Sequence, residues 1–289
     1  MNEMSLSTAV EAILVRRNPR QMARLREALR PGYYLRAARL LRDPGRTLIA
    51  TGFPVAGSFE TDGPLGAIAL YRTLEELGHE CIIACADPLA GVLEADFQVL
   101  RLKAFDHDAA KREAAAQLEA LQPDRILCIE RPGLAEDGRY YNMRGVDISS
   151  HCAIFDYHVR AGSCPTVAIG DGGNEIGMGL IGAAVSALDI RAAQTGCDEL
   201  LVADVSNWGA YGLIAMLEAL SGRPLLAQIN HLELLDYLST RGSVDGVTGE
   251  NTLSEDGLPA SAGVAVLKEL AALLADSPND DEHDEHEEP

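Results

Sequence analysis

Short apolar runs alternate along this chain with clusters of Gly, Pro and polar residues and then with helically spaced apolar positions. Thr47-Leu48-Ile49-Ala50, Cys81-Ile82-Ile83-Ala84, Phe97-Gln98-Val99-Leu100, Ile126-Leu127-Cys128-Ile129, Val167-Ala168-Ile169 and Leu200-Leu201-Val202-Ala203 have the composition of buried strands. Between them, the Leu65, Ile68, Ala69, Arg72, Leu77 spacing and the alanine-rich stretch from Asp108 to Leu121 predict helices. A further helix is expected around Ile148 to Arg160, one near Leu232 to Leu238, and an apolar one from Pro259 to Leu274. Strands alternating with helices at this spacing predict an α/β fold, a mostly parallel sheet with helices on both faces in three layers.

In such a sheet the loops after the strands converge on one edge, where ligands bind. Four clusters fall there: Glu60-Thr61-Asp62-Gly63, Glu130-Arg131-Pro132-Gly133, the run from Gly170 to Gly179, and Ser206-Asn207-Trp208-Gly209. The glycine run, Gly170-Asp171-Gly172-Gly173-Asn174-Glu175-Ile176-Gly177-Met178-Gly179, reads as a strand that breaks into a loop and opens a helix. Taken alone it is as consistent with a solvated turn as with a binding loop. The company of the other three clusters favours one shared pocket.

Ahead of the first strand, ten of the 21 arginines lie before residue 47. Asn18-Pro19 predicts a helix start, with Met22, Leu25 and Leu29 at helical spacing and a basic outer face. The expected organisation is a basic helical segment over residues 1–46 that packs on the main domain, an α/β domain over 47–275, and a disordered acidic tail over 276–289. That tail carries eight acids, and without it 36 acids still face 24 bases. A net charge of -20 therefore argues against nucleic-acid binding. No apolar run reaches membrane-spanning length, and six scattered cysteines suit reduced thiols, so a soluble cytoplasmic protein is expected. A homo-oligomer is left open.

Carboxylates gathered in one cleft raise each other's pKa and supply acid and base without histidine. The same acids, Asp62, Glu130 and Asp171, could instead collect a divalent cation such as Mg²⁺ or Mn²⁺, although no cofactor is required by a motif. Arg131 and Arg144 suit a carboxylate, with an internal salt bridge to Asp147 or Glu136 as the alternative, of equal weight for Arg144. Asn174 and Asn207 could orient a substrate or cap the helices after them. His151 and His158 read as packing residues on one helix face, and Trp208 and Tyr211 as pocket wall or core. P-loop, nucleophile-elbow and H-E-x-x-H signatures are absent from the sequence.

Together, Glu60-Thr61-Asp62-Gly63-Pro64, Ile129-Glu130-Arg131-Pro132-Gly133, Asn142-Met143-Arg144-Gly145, Gly170 to Gly179 and Ser206 to Gly212 resemble the C-terminal domain family of D-glutamate cyclase, from about Thr47 to about Gly249. The resemblance implies an enzyme that converts D-glutamate to 5-oxo-D-proline and water; the eukaryotic cyclase carries an additional N-terminal domain. Set against that reaction, the expected catalytic residues are Asp62, Glu130, Asp171 and Glu175. Thr61, Gly63, Arg131, Arg144, Gly172, Gly173, Asn174 and Asn207 are the expected binding residues for a small carboxylated substrate. The competing expectation is a binding or regulatory protein, or a hydrolase of another small anionic metabolite, using the same pocket.

Overall fold

The computed structural model describes residues 1–276, so from residue 277 onward the expected acidic tail lies outside the described residues. Six parallel strands form the central sheet: β1 (Arg46–Thr51), β2 (Glu80–Cys85), β3 (Val99–Arg101), β4 (Arg125–Ile129), β5 (Thr166–Gly170) and β6 (Glu199–Val202). Their spatial order is β3-β2-β1-β4-β5-β6. Leu48 pairs with Ile82 on one side of β1 and with Ile126 on the other, and Cys128 pairs with Ala168. From β1 the chain moves outward in one direction to β2 and β3, then returns to β4 and moves the opposite way. The gap between the ends of β1 and β4 is thus the switch point, where open α/β sheets hold their ligands.

The helices are α1 (Glu3–Leu14), α2 (Met22–Arg26), α3 (Tyr33–Leu40), α4 (Pro64–Glu76), α5 (Leu89–Leu93), α6 (His107–Leu121), α7 (Asp156–Ala161), α8 (Gly182–Val185), α9 (Ser206–Ser221), α10 (His231–Ser239) and α11 (Ala260–Ala275). The most buried is α9, whose residues from Ser206 to Leu217 are all inaccessible. It packs against α1, α3, α4 and α11. Close approach explains its small residues: a Cβ at Gly212 would fall 2.3 Å from Leu14 Cδ1, and one at Gly209 would fall 2.5 Å from Ile169 Cγ2. On the other face of the sheet α6 and α7 pack together, as right-handed crossovers running in the opposite direction require.

Several boundaries differ from the sequence reading. Asn18 does not cap a helix at Pro19: it lies at φ 55, its side chain accepts from Ala23 N, and the helix begins at Met22. Ahead of it, α1 is a full helix capped by Asn2, which periodicity had not marked. The glycine run opens no long helix; a single 3₁₀ turn at Gly179–Ile181 and the four-residue α8 follow it. His151 and His158 are on separate elements, the first in a 3₁₀ turn and the second in α7. Among the described residues no helix is long and apolar enough to cross a membrane.

Candidate active site

The carboxyl ends of β1, β4, β5 and β6 each lead into a buried acidic or polar segment. After β1, a short hairpin (Pro54–Val55 with Ser58–Phe59) delivers Glu60, Thr61 and Asp62. Thr61 N and Oγ1 both donate to Val244 O, at 2.9 and 3.1 Å, which anchors this segment on the C-terminal region. Gly63, at φ 91, then starts α4 with Pro64 in its first turn. A Cβ at Gly63 would lie 2.6 Å from Glu130 Cβ, so glycine is what lets the β1 and β4 loops touch. Glu130 itself has a φ of 42, an uncommon conformation for a non-glycine residue and one that clusters at functional sites.

Asp62 projects onto the start of α9. Its Oδ2 accepts from Ser206 N at 2.9 Å, and its Oδ1 accepts from Asn207 N at 2.7 Å and Gly63 N at 2.9 Å. Ser206 Oγ donates to Glu130 Oε2 at 2.5 Å. Asp171 Oδ2 accepts from Ser206 N at 3.2 Å and from Arg20 Nη2 at 2.5 Å. One oxygen from each of Asp62, Glu130 and Asp171 falls within 4.8 Å of the others, and all three residues are buried. The structure therefore brings these three together.

Burial and mutual repulsion govern their protonation. Burial, then the Asp256 charge, pushes Asp62 up to about 7 despite its N–H donors. Burial raises Glu130 well above the usual carboxylate range, with Glu175, Asp62 and Glu60 adding to the rise. Asp171 is also raised well above by burial, while Arg20 opposes the shift. Glu175 is raised by burial and relieved by backbone N–H groups, because Gly172 N and Gly173 N donate to its Oε1 and Oε2, each at 2.7 Å. The glycine-loop donors are thus spent on the loop's own glutamate.

A cavity of about 1030 Å³ opens over this cluster. Glu130, Asp171, Asn174, Glu175 and Arg144 line it. Asn174 is held by Nδ2 donating to Tyr141 O at 2.8 Å, which leaves its buried Oδ1 without a partner. Arg144 makes neither expected salt bridge; it sits exposed at the mouth and donates to Val247 O, while Asp147 pairs with Arg139. Asp62, Thr61, Gly63, Gly172, Gly173, Asn207 and Arg131 lie behind the wall rather than on it. Arg131 is a buried clamp that donates to Gly52 O and Ala153 O, tying the β1 and β4 loops to the segment ahead of α7. Asn207 Oδ1 accepts from Gly63 N and Gly66 N, so it caps α4, not its own helix.

Two groups on the cavity wall, Arg20 and Asp256, escaped the sequence reading, and a third, Glu60, was marked only as part of its cluster. Arg20 bridges Asp171 and Asp256 and donates to Asp204 O at 3.1 Å. Its segment is fixed by Arg17 N and Asn18 N, which donate to the Asp204 carboxylate at 2.7 and 2.9 Å. Asp256 arrives on a small C-terminal hairpin whose preceding residue, Glu255, accepts from Trp208 Nε1 and Asn207 Nδ2, both at 2.7 Å. Glu60 is pushed well above the usual range by burial and then by Asp256. The Glu60 cluster was visible as a motif; Arg20 and Asp256 had no local signal, being 151 and 85 positions from Asp171. His158 is core, stacked on Phe155, and Trp208 and Tyr211 are fully buried.

The model of the "D-glutamate cyclase-like, C-terminal" family matches residues 10–271. The chain belongs to this family. The match extends beyond the Thr47–Gly249 span of the motifs and takes in both Arg20 and Asp256. A human protein, "D-glutamate cyclase, mitochondrial", is 34% identical over 212 residues, covering 63% of this chain and 34% of the human one. The aligned region is thus about a third of the human protein's length. Among solved structures, ligand-free aldohexose dehydrogenase from Thermoplasma acidophilum has a TM-score of 0.25 at 15% identity over 64% of each chain, too slight a likeness to bear on the fold or the chemistry.

Proposed function

We propose that this family member closes D-glutamate into 5-oxo-D-proline, releasing water. The observation that carries the reading is the convergence of Asp62, Glu130 and Asp171 within 4.8 Å beside a cavity at the sheet's switch point, in a chain of the cyclase-like family. Lactam closure needs an uncharged amine, a γ-carboxyl whose hydroxyl leaves as water, and a bent substrate. Holding the two ends together is worth roughly 7 to 11 kcal/mol of barrier.

The proton work divides by environment. Glu130, whose protonated form burial and three neighbouring acids favour, is the better donor to the departing hydroxyl. Arg20 opposes the rise at Asp171 and makes it the better acceptor of the amine proton. Glu175, engaged with Gly172 N and Gly173 N, shapes the loop, and Asn174 Oδ1 offers an unused acceptor to the substrate amine. Asp62 positions Ser206 and Asn207 beneath the floor.

Three converging buried carboxylates also fit a hard divalent cation, Mg²⁺ or Mn²⁺, held by Asp62, Glu130 and Asp171. Bound there, it would polarise the substrate carboxyl and offset the crowded negative charge. The free cysteines, four of them buried, support a reducing compartment such as the cytoplasm, although the human relative is named as mitochondrial.

The test is incubation with D- or L-glutamate, with and without Mn²⁺, followed by mass spectrometry for 5-oxoproline. D-selective product that disappears in Asp171→Asn supports the reading. Binding without product would favour a non-cyclase protein.

A further inference from the structure

The cavity wall carries an acidic set and an apolar set of side chains. Its floor carries Glu60, Glu130, Asp171, Glu175 and Asp256, and Arg20 is the cation paired to that floor. An apolar set, Phe53, Val55, Phe105, Met143, Ile148 and Val247, also lines the cavity, and Arg144 reaches across the mouth to Val247 O. Phe105, Met143 and Val247 are 49%, 37% and 49% exposed, three large apolar side chains left open around one mouth. Isolated exposed apolar residues are ordinary, but their concentration around a concave site marks a surface that is covered by a ligand.

Size and charge both accommodate an occupant larger than free glutamate. At about 1030 Å³ the cavity reaches the upper end of the range of roughly 300–1,000 Å³ that buries drug-sized ligands, far more than one amino acid fills. The five acids of the floor share the lining with three arginines, Arg17, Arg20 and Arg144, and Arg20 is already paired with Asp171 and Asp256, so an amide at the γ-position, which brings no charge, suits this acidic excess better than a second carboxylate. The amine of the substrate suits the acidic floor in either case.

We infer that the preferred substrates are γ-amides of D-glutamate whose leaving amine carries an apolar group, seated in the vestibule formed by Phe105, Met143 and Val247. This rests on the cyclase reading and specifies its substrate class. The α-nitrogen attacks the γ-carbonyl carbon, forming the ring C–N bond, and the bond from that carbon to the amide nitrogen breaks. The proton lost by the attacking nitrogen is transferred to the departing one, giving 5-oxo-D-proline and a free amine. No water is consumed or released, and nothing is oxidised or reduced. The reaction that supplies such a substrate is one that condenses an amine with the γ-carboxyl of D-glutamate.

The experiment compares kcat/KM for D-glutamate, its γ-amide and its γ-benzylamide on the full chain, with 5-oxoproline and the released amine both quantified. The expected result is at least a tenfold rise from γ-amide to γ-benzylamide, equivalent to about 1.4 kcal/mol of added transition-state binding. Phe105→Ser combined with Met143→Ser should remove most of that rise, and an unchanged urea midpoint would show that the variant folds. If D-glutamate is cyclised while the γ-benzylamide reacts no faster than the γ-amide, the vestibule is not a leaving-group site and the inference is overturned. A rise that survives the double substitution overturns the placement in the vestibule. If none of the three compounds yields 5-oxoproline, the cyclase reading fails and this inference falls with it.

Discussion

Asp62 and Asn207 cap each other's helices. Asp62, two residues before α4, accepts the first N–H groups of α9, at 2.9 Å from Ser206 and 2.7 Å from Asn207. Asn207, in the first turn of α9, returns the contact by accepting from Gly63 N at 2.9 Å and Gly66 N at 2.8 Å at the entry of α4. Four donors that helix starts leave unsatisfied are thereby paired across 145 residues of sequence. The two helices meet at the switch point, so the cross-cap fixes the loops that carry Glu130 and Asp171.

Replacing Asn207 by Ala strands the Gly66 N–H, leaves Gly63 N with Asp62 Oδ1 alone, and removes the Glu255 contact. A lost cap costs about 0.5–2 kcal/mol and a stranded buried donor about 1–3 kcal/mol. Urea unfolding should therefore show Asn207→Ala about 2–4 kcal/mol less stable than wild type, an effect larger than an exposed cap could give.

Gly63→Ala combines two penalties. The residue sits at φ 91, and the added Cβ would meet Glu130 Cβ at 2.6 Å and Thr51 Oγ1 at 2.9 Å. Left-handed strain of about 1–2 kcal/mol and overpacking of about 1–3 kcal/mol predict a loss of roughly 2–5 kcal/mol in denaturant titration. Wild-type stability in this variant would mean that the β1 and β4 loops do not touch as described.

Protonation of the buried acids makes stability fall as pH rises. Asp62 at about 7 and Glu255 at about 8 lie above the values of an unfolded chain, near 4. Between those limits the folded state holds more protons than the unfolded one, so the contribution is complete below about pH 4 and lost as pH passes through 7 and 8. The urea midpoint should be lower at pH 8.5 than at pH 5.5. Mn²⁺, which competes with protons for carboxylates, should raise the midpoint more at pH 8.5 than at pH 5.5.

Arg20 is the cation that offsets this charge, pairing with Asp171 and Asp256. Arg20→Met leaves buried carboxylates without a counter-charge, a change that costs about 3–5 kcal/mol when they are ionised. At low pH Asp171, already raised by burial, takes up a proton instead. The variant should be close to wild type at pH 5 and strongly destabilised at pH 8, a difference that thermal unfolding at the two pH values reads directly.

The sheet was legible because its strands are buried on both faces and so form continuous apolar runs; Leu48-Ile49-Ala50 and Val167-Ala168-Ile169 fall within β1 and β5. Asp62, Glu130 and Asp171 were legible because each follows such a run, and in a parallel sheet those ends must converge. Arg20 and Asp256 were hidden, since their segments reach the site through long-range contacts with Asp204 and Asp171, not through any local pattern. Asn207 was legible as a helix cap, but which helix it caps depends on the packing of α4 against α9. The donors of Gly172 and Gly173 looked free for a ligand because sequence spacing cannot show that Glu175 folds back onto them.

In the proposed reaction the γ-carboxyl of D-glutamate is attacked by its own amine in the pocket around Asp171. D-glutamate carrying ¹⁸O in both γ-carboxyl oxygens, incubated with the protein and Mn²⁺, tests it most directly. The expected product is 5-oxo-D-proline retaining one ¹⁸O, with the other appearing in water and no product from Asp171→Asn. Absence of labelled lactam from the wild-type protein, or equal turnover by Asp171→Asn, would contradict it.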